Sequence, residues 1–217
     1  MDLEDLWPLF GLEIVTPRLS LRPIRDADLP GLAQAALDGV HDPARTPFAT
    51  AWTDAAPAEL PRNLAAFHWS RRNRVAPERW TVAFGIHFEG RIVGSQDLSA
   101  HDFAHRRTVS TGSWLTRRVQ GQGIGTEMRA GLLQFAFDVL RAEWAESSAA
   151  SWNDASLGVS RKLGYVLNGV TRSSPRGGEP VDEQRVRLER ARFVRPDWSI
   201  VVHGAGPALS QLGVETP

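Results

Sequence analysis

Gly121, Gly123 and Gly125 stand at alternate positions where a strand pattern gives way to a helix pattern, and they constrain this chain more than any other feature. Thr108 to Leu115 has the composition of a strand. Met128, Leu132, Phe135 and Val139 recur at the spacing of one helix face. Glycines in such a junction let the backbone take dihedrals closed to other residues and come close to a ligand. At a helix start, the unpaired amides and the helix dipole favour an anion, and a pyrophosphate is the usual biological one. Residue type sorts the alternatives. A Walker A loop needs a lysine before its Ser/Thr, whereas here Gly125 precedes Thr126 directly. A dinucleotide fold wants its glycines after the first strand of a parallel βαβ unit, and these come more than halfway along the chain. A ligand-free strand-to-helix turn is the third reading.

The segments around the turn describe a mixed α/β sheet with helices at two separate points of the chain. Thr16 to Ile24 alternates as a strand, and Asp26, Asp28 and Pro30 mark the start of a helix that Gly39 can end. His41 to Ala58, with Pro43, Pro47 and Pro57, reads as a long loop, and Leu60, Leu64 and Phe67 predict a second helix over 58–72. Trp80 to Ile86, the Glu89-Gly90 turn and Arg91 to Leu98 predict a hairpin. Strands are expected at 144–150, 165–170 and 184–194, and a helix at 155–163. We find no repeat, and the 217 residues suit one domain.

Composition removes whole classes of function. Lys+Arg and Asp+Glu both number 25, so the bulk basic excess expected of a nucleic-acid binder is missing, and small molecules are the favoured partners. The chain has no cysteine, which excludes a thiol nucleophile and thiolate metal sites; no metal is expected. The opening residues do not resemble a signal peptide, and no run approaches ~18 apolar residues, so a cytoplasmic protein without membrane association is expected.

Gln120-x-x-Gly123-x-Gly125 resembles the coenzyme A pyrophosphate loop of the GCN5-related N-acetyltransferase superfamily, whose pattern is Gln/Arg-x-x-Gly-x-Gly/Ala. Thr16-Pro-Arg-Leu-Ser-Leu-Arg-Pro-Ile, Gly112-Ser-Trp-Leu115, Asn153-Asp-Ala-Ser156 with Lys162-Leu-Gly-Tyr165, and Phe193-Val-Arg-Pro-Asp-Trp198 resemble, in order and spacing, the branch containing the ribosomal-protein alanine N-acetyltransferases. The resemblance implies an acyltransferase domain over 12–198 with extensions at 1–11 and 199–217. It also implies a mostly antiparallel sheet splayed between two parallel strands and flanked by helices.

The resemblance further implies acetyl-CoA, or another short acyl-CoA such as succinyl, as cosubstrate and an amine of a small molecule or a protein N-terminus as acceptor. Leu115 would offer its backbone to pantetheine, Gln120, Gly121, Gln122, Gly123, Ile124, Gly125 and Thr126 would hold the pyrophosphate, and Asn153 would contact the pantetheine side. Direct attack by the amine would pass through an oxyanion held by a backbone amide near Leu115. Many relatives carry an acidic tyrosine where this chain has Ser160, and a glutamate where it has Ser110. Ser156, with Ser160 second, is then expected to serve the departing thiolate. Asp97 and Asp102, beside His101, are the base candidates on the hairpin, with water as a further proton relay. The missing tyrosine and glutamate leave a coenzyme A-binding module without catalysis as the alternative. His41, Asp42, Phe48 and Trp52 occupy the segment that walls the acceptor side in this family, and His41 and Trp52 are the substrate-binding candidates. Trp7, Phe10, Trp198 and Ile200 to Val202 suggest that the extensions pack on something: the domain itself or, through an added strand at 199–203, a second copy in a homodimer.

Overall fold

The computed structural model describes residues 1–177 and 180–214. The last three residues of the expected C-terminal extension, 215–217, lie outside the described residues. The strands are β1 (Glu13–Val15), β2 (Leu19–Pro23), β3 (Arg79–Phe88), β4 (Arg91–His101), β5 (Thr108–Leu115), β6 (Trp144–Ala150), β7 (Val166–Ser173), β8 (Val181–Glu189) and β9 (Val201–His203). The helices are α1 (Leu3–Leu6), α2 (Leu29–Leu37), α3 (Leu60–Arg72), α4 (Phe103–Arg106), α5 (Ile124–Gln134), α6 (Asp154–Lys162) and α7 (Ala205–Gln211). The strands form one sheet in the order β7-β8-β6-β5-β4-β3-β2-β1-β9, antiparallel everywhere except between β5 and β6.

Alternation along the central strands sends side chains to two cores. Trp80, Val82, Phe84 and Ile86 of β3 join Leu98 of β4 and Val109 of β5 against α5, whose Met128, Leu132 and Leu133 are buried with them. Ala83, Ile92 and Trp114 face the other way, against Leu29, Leu32 and Ala36 of α2 and Leu60 and Leu64 of α3. Each central strand therefore has one side chain in two under α5 and α6 and the other under α2 and α3.

The strand expected from Thr16 begins only at Leu19, because Pro17 has no N–H to give a ladder. Thr16 and Arg18 turn the chain instead, with the Leu19 amide donating to the Thr16 hydroxyl oxygen at 3.1 Å. The expected strand at 184–194 ends at Glu189, where a short 3-10 turn over Arg190–Arg192 begins. The stripe through Val139 is helical, but its end, Phe135–Val139, widens into a π turn closed by Leu140 N–H to Phe135 O.

The tail takes the first of its two expected placements, against the chain's own domain. Val201–His203 pairs antiparallel with Glu13–Val15 of the same chain, so the strand expected to bridge two copies closes the domain's own sheet edge. Beyond it, α7 buries Ala208 and Leu209, and the Gln211 side chain accepts a hydrogen bond from the Leu9 amide at 2.8 Å. Gly204, at φ 66°, makes this return possible: a Cβ there would collide with the Gly11 carbonyl. Thus the N- and C-terminal segments pack on each other, which explains the apolar residues that a sequence reading found excessive for free tails.

Candidate active site

The parallel pairing of β5 with β6 runs from Thr108 opposite Trp144 to Thr111 opposite Ser147 and stops there. The Ser147 hydroxyl donates to Thr111 O at 2.9 Å, tying the strands at the last rung. Beyond it, β5 stays paired with β4 and β6 with β8, so Gly112 to Leu115 and Ser148 to Ala150 diverge around a gap. Thr116 N–H donates to Val93 O, which makes Leu115 opposite Gly94 a pair without mutual hydrogen bonds. By the antiparallel alternation, Ser113 opposite Gln96 is of the same type. Backbone groups of Ser113 and Leu115 therefore point into the gap, where an extended ligand can pair as a strand would. The Gln120 side-chain amide nitrogen donates to Leu115 O at 2.8 Å and to Val40 O at 2.7 Å, so it clamps the end of β5 to the segment that follows α2.

At the mouth of the gap stands the glycine turn. Gly121 and Gly123 have φ of 75° and 81°, and Gly123 is the N-cap of α5. The amides of Gly121, Gln122, Gly123, Ile124 and Gly125 have no acceptor among the described residues; the first internal bond of the helix comes from Thr126 to Gly123 O. Five consecutive free donors at the positive end of a helix dipole form an anion cradle. Arg18, which the sequence reading passed over, leans on this turn. Its Nε donates to the buried Glu127 at 2.6 Å, its Nη1 donates to Gln122 O at 3.2 Å, and its Nη2 lies where a Gly123 side chain would touch it. Glu127 also accepts from the Thr16 hydroxyl and the Arg18 amide, so Arg18 is fixed while its side chain stays 44% exposed. The Thr-Pro-Arg pattern was visible in sequence; its partner 109 residues away was not.

Across the sheet, on the α2 and α3 side, Asp97 lies between Ala83 of β3 and Gly112 of β5. Burial pushes its carboxyl up from 3.8 to about 6, with the Arg71 guanidinium pulling the other way, and it makes no hydrogen bond among the described residues. A Cβ on Gly112 would meet nothing within 4 Å, so the space beside Asp97 is open. Its wall is an aromatic ladder of His41, Phe48, Trp52 and Trp114, with successive ring centroids 5.3 to 5.5 Å apart. Trp114, at the head of the ladder, was not singled out for this role from sequence. His41 is held by hydrogen bonds to Asp42 O and the Thr53 hydroxyl. Arg176, from the turn after β7, grips Asp54 with two hydrogen bonds of 2.6 and 2.8 Å and also donates to Pro43 O and Ala44 O, fastening the ladder's loop over the cleft.

Asp102 is not brought to this place. It caps α4 beyond the far end of β4, five residues or ~16 Å of strand from Asp97. There its carboxylate hydrogen-bonds His105, which holds it below the ordinary carboxylate range.

Asn153 caps α6, accepting the Ser156 amide at 3.2 Å, so its side-chain NH₂ remains available. The Ser156 hydroxyl has no protein partner among the described residues and is half-buried. Ser160, one turn on, is buried; its hydroxyl donates to Ser156 O at 3.1 Å and accepts from Arg129 of α5 at 3.2 Å. Several of the arginines around β8 are similarly committed: Arg195 pairs with Asp138, and Arg187 lies 3.8 Å above the Trp144 ring.

A splayed parallel pair with a free-amide helix start at its mouth is the architecture of an acetyltransferase. Residues 18–166 match the family model described as "Acetyltransferase (GNAT) domain", and the chain belongs to this family. A Bacillus subtilis protein, YdaF, provisionally named a ribosomal N-acetyltransferase, is 26% identical over 91 residues. That match covers 42% of this chain and about half, 49%, of the relative. Among solved structures, Mycobacterium smegmatis RimJ in complex with CoA-disulfide superposes with a TM-score of 0.68, covering 96% of both chains at 18% identity. The microcin C7 self-immunity acetyltransferase MccE, in complex with acetyl-CoA and AMP, gives 0.62 over 80% of this chain and 93% of that one at 16% identity. At these identities the two structures attest to the shared fold.

Proposed function

We propose that residues 12–198 transfer an acyl group, acetyl in the first instance, from coenzyme A to a primary amine of a small molecule or a protein N-terminus. The observation that carries this reading is the run of five unpaired amides, Gly121 to Gly125, at the mouth of the β5–β6 gap, with Arg18 beside it. The turn would hold the pyrophosphate, and the gap-facing backbone of Leu115 and Ser113 the pantetheine, with the Asn153 amide on the opposite side. The amine would approach over Gly112, past Trp52 and Trp114. A carboxyl titrating near 6 is ionised at neutral pH yet basic enough to accept a proton, and Asp97 faces the open space from which the amine comes. As the amine nitrogen bonds to the thioester carbon, a gap-facing backbone amide near Leu115, that of Ser113, would face the oxyanion. The C–S bond then breaks, its electron pair leaves on sulfur, and the free Ser156 hydroxyl would donate to the thiolate. The cytoplasm, where acyl-CoA is made and used, is the compartment this reading implies. Thiol release from acetyl-CoA in the presence of a panel of amines tests it. We expect amine-dependent release above the hydrolytic background; coenzyme A binding with no amine able to raise release would leave only a binding module.

A further inference from the structure

Arg129 is a buried cation without a carboxylate. Its residue is 4% exposed, and Nη1 and Nη2 donate to two neutral hydroxyls, Ser160 at 3.2 Å and Ser113 at 3.4 Å, while Nε has no partner. No acidic side chain compensates it among the described residues; burial lowers its pKa, opposed only by Tyr165. Around it lie more polar atoms without hydrogen bonds: both side-chain atoms of Gln96, and the hydroxyls of Thr111 and Tyr165, which face each other without a well-formed bond. The register puts Gln96, Thr111 and Ser113 on one face of the sheet, the face under α5 and α6. An uncompensated buried guanidinium costs several kcal/mol, and a core that merely needed filling would place an apolar side chain there.

The position of this charge says what it serves. Ser113 is the second residue of β5 past the last rung with β6, at the inner end of the gap, and Ser160 sits one turn from Ser156 on α6. A pantetheine arm entering along Leu115 and Ser113 ends here with its sulfur. In acyl transfer this is where negative charge appears, on the sulfur that receives the C–S electron pair. We propose that Arg129 is a positioning residue for the leaving group: held by Ser113 and Ser160, it sets a positive potential under the sulfur and favours the thiolate of coenzyme A. This inference rests on the coenzyme A reading above. It also explains why the acidic tyrosine of many relatives is dispensable here, since a leaving group stabilised as an anion needs less protonation. Ser160 then supports Arg129 instead of donating a proton, because its hydrogen is committed to Ser156 O.

The test uses the full chain as wild type, Arg129→Met, Arg129→Lys and Ser160→Ala. Bound coenzyme A is titrated by its ultraviolet thiolate absorbance, and desulfo-coenzyme A, which lacks the sulfur, serves as the binding control. We expect the bound thiol in the wild type to titrate at least one pH unit below free coenzyme A. Arg129→Met should abolish that shift, Arg129→Lys keep part of it and Ser160→Ala reduce it, while desulfo-coenzyme A binds all four proteins within about threefold. An unshifted thiol in the wild type, or the same shift in wild type and Arg129→Met, overturns the proposal and leaves the cofactor reading intact. If Arg129→Met does not fold, the same comparison is made with Ser160→Ala, where a full wild-type shift overturns it. Loss of affinity confined to acyl donors with a terminal carboxylate, the thiol titration being unchanged, also overturns it, by showing that Arg129 binds the acyl chain. Failure of desulfo-coenzyme A to bind the wild type overturns the cofactor reading itself, and the proposal with it.

Discussion

Asp97→Asn should make the protein more stable and nearly inactive, and the two effects have one cause. The folded carboxyl titrates at about 6 against 3.8 for an ordinary aspartate, so the folded state holds its proton more tightly than the unfolded chain does. Stability conferred relative to the ionised form is therefore greatest below pH 4, falls as pH rises from about 4 to 6, and stays reduced above. At about 1.4 kcal/mol per pH unit, the displacement corresponds to a ceiling of ~3 kcal/mol at neutral pH. Solvent reaching the carboxyl through the open side of the cleft screens part of this, leaving ~1–2 kcal/mol. Asparagine has the same shape without the charge. In a chain of this length we expect its melting temperature at pH 7.5 to rise by about 3–6 °C, with no rise at pH 4. If the carboxylate is the base, kcat/KM falls ~10²- to 10⁴-fold, and the acidic limb near pH 6 disappears from the pH–rate profile. Calorimetry at the two pH values and thiol-release kinetics from pH 5 to 8 read both. Wild-type activity with an unchanged acidic limb would refute the assignment of the base, and a variant no more stable at pH 7.5 than the wild type would refute the electrostatics.

Gly123→Trp should abolish the thermal stabilisation by coenzyme A, which for the wild type at about 100 times Kd amounts to ~2.7 kcal/mol, because the side chain enters the cradle and φ is 81°; equal melting shifts would exclude the turn as the site. His68, buried on α3 near Arg71 and Arg72, has its pKa lowered from 6.5 to about 4, so its neutral form supports the fold above 6.5 and stability is lost as pH falls towards 4. His68→Gln should flatten the difference between unfolding free energies at pH 7 and pH 4.5 by ~2–3 kcal/mol, and an unchanged difference would argue against it. Truncation after Trp198 removes the buried Leu209, Leu212 and Val214 and uncovers the β1 edge, for an expected loss on the order of 5 kcal/mol by thermal unfolding. A melting curve unaffected by truncation would show that the tail's pairing with β1 does not stabilise the domain.

Patterns local in sequence carried most of the secondary structure. Thr108 to Leu115 and Trp144 to Ala150 are strands with the expected ends, because alternation and β-branched or aromatic content act over neighbours only. The glycine turn was legible for the same reason: positive φ at Gly121 and Gly123 is a property of the residue, and a helix start follows from what comes next. Pro17, by contrast, lies at the head of an alternating run, and its missing N–H keeps the first residues of that run out of the ladder, so the strand begins only at Leu19. The termini shared too little local signal to show that β9 would pair with β1 some 190 residues away instead of with a second copy.

For the site, the chain's order of residues determined which backbone could cradle an anion and which motif it resembled, since both are written in contiguous segments. It could not separate Asp97 from Asp102. Both stand on the same hairpin, and what distinguishes them is that one lies under α3 beside an open glycine while the other caps a helix in solvent. Nor could it find Arg18, Trp114, Arg129 and Arg176, whose roles come from Glu127, Trp52, Ser160 and Asp54, partners 31 to 122 residues distant. Charge and acidity are set by burial and by neighbours in space, so only the folded sheet decides which of many arginines is left without a counter-charge and which aspartate is basic.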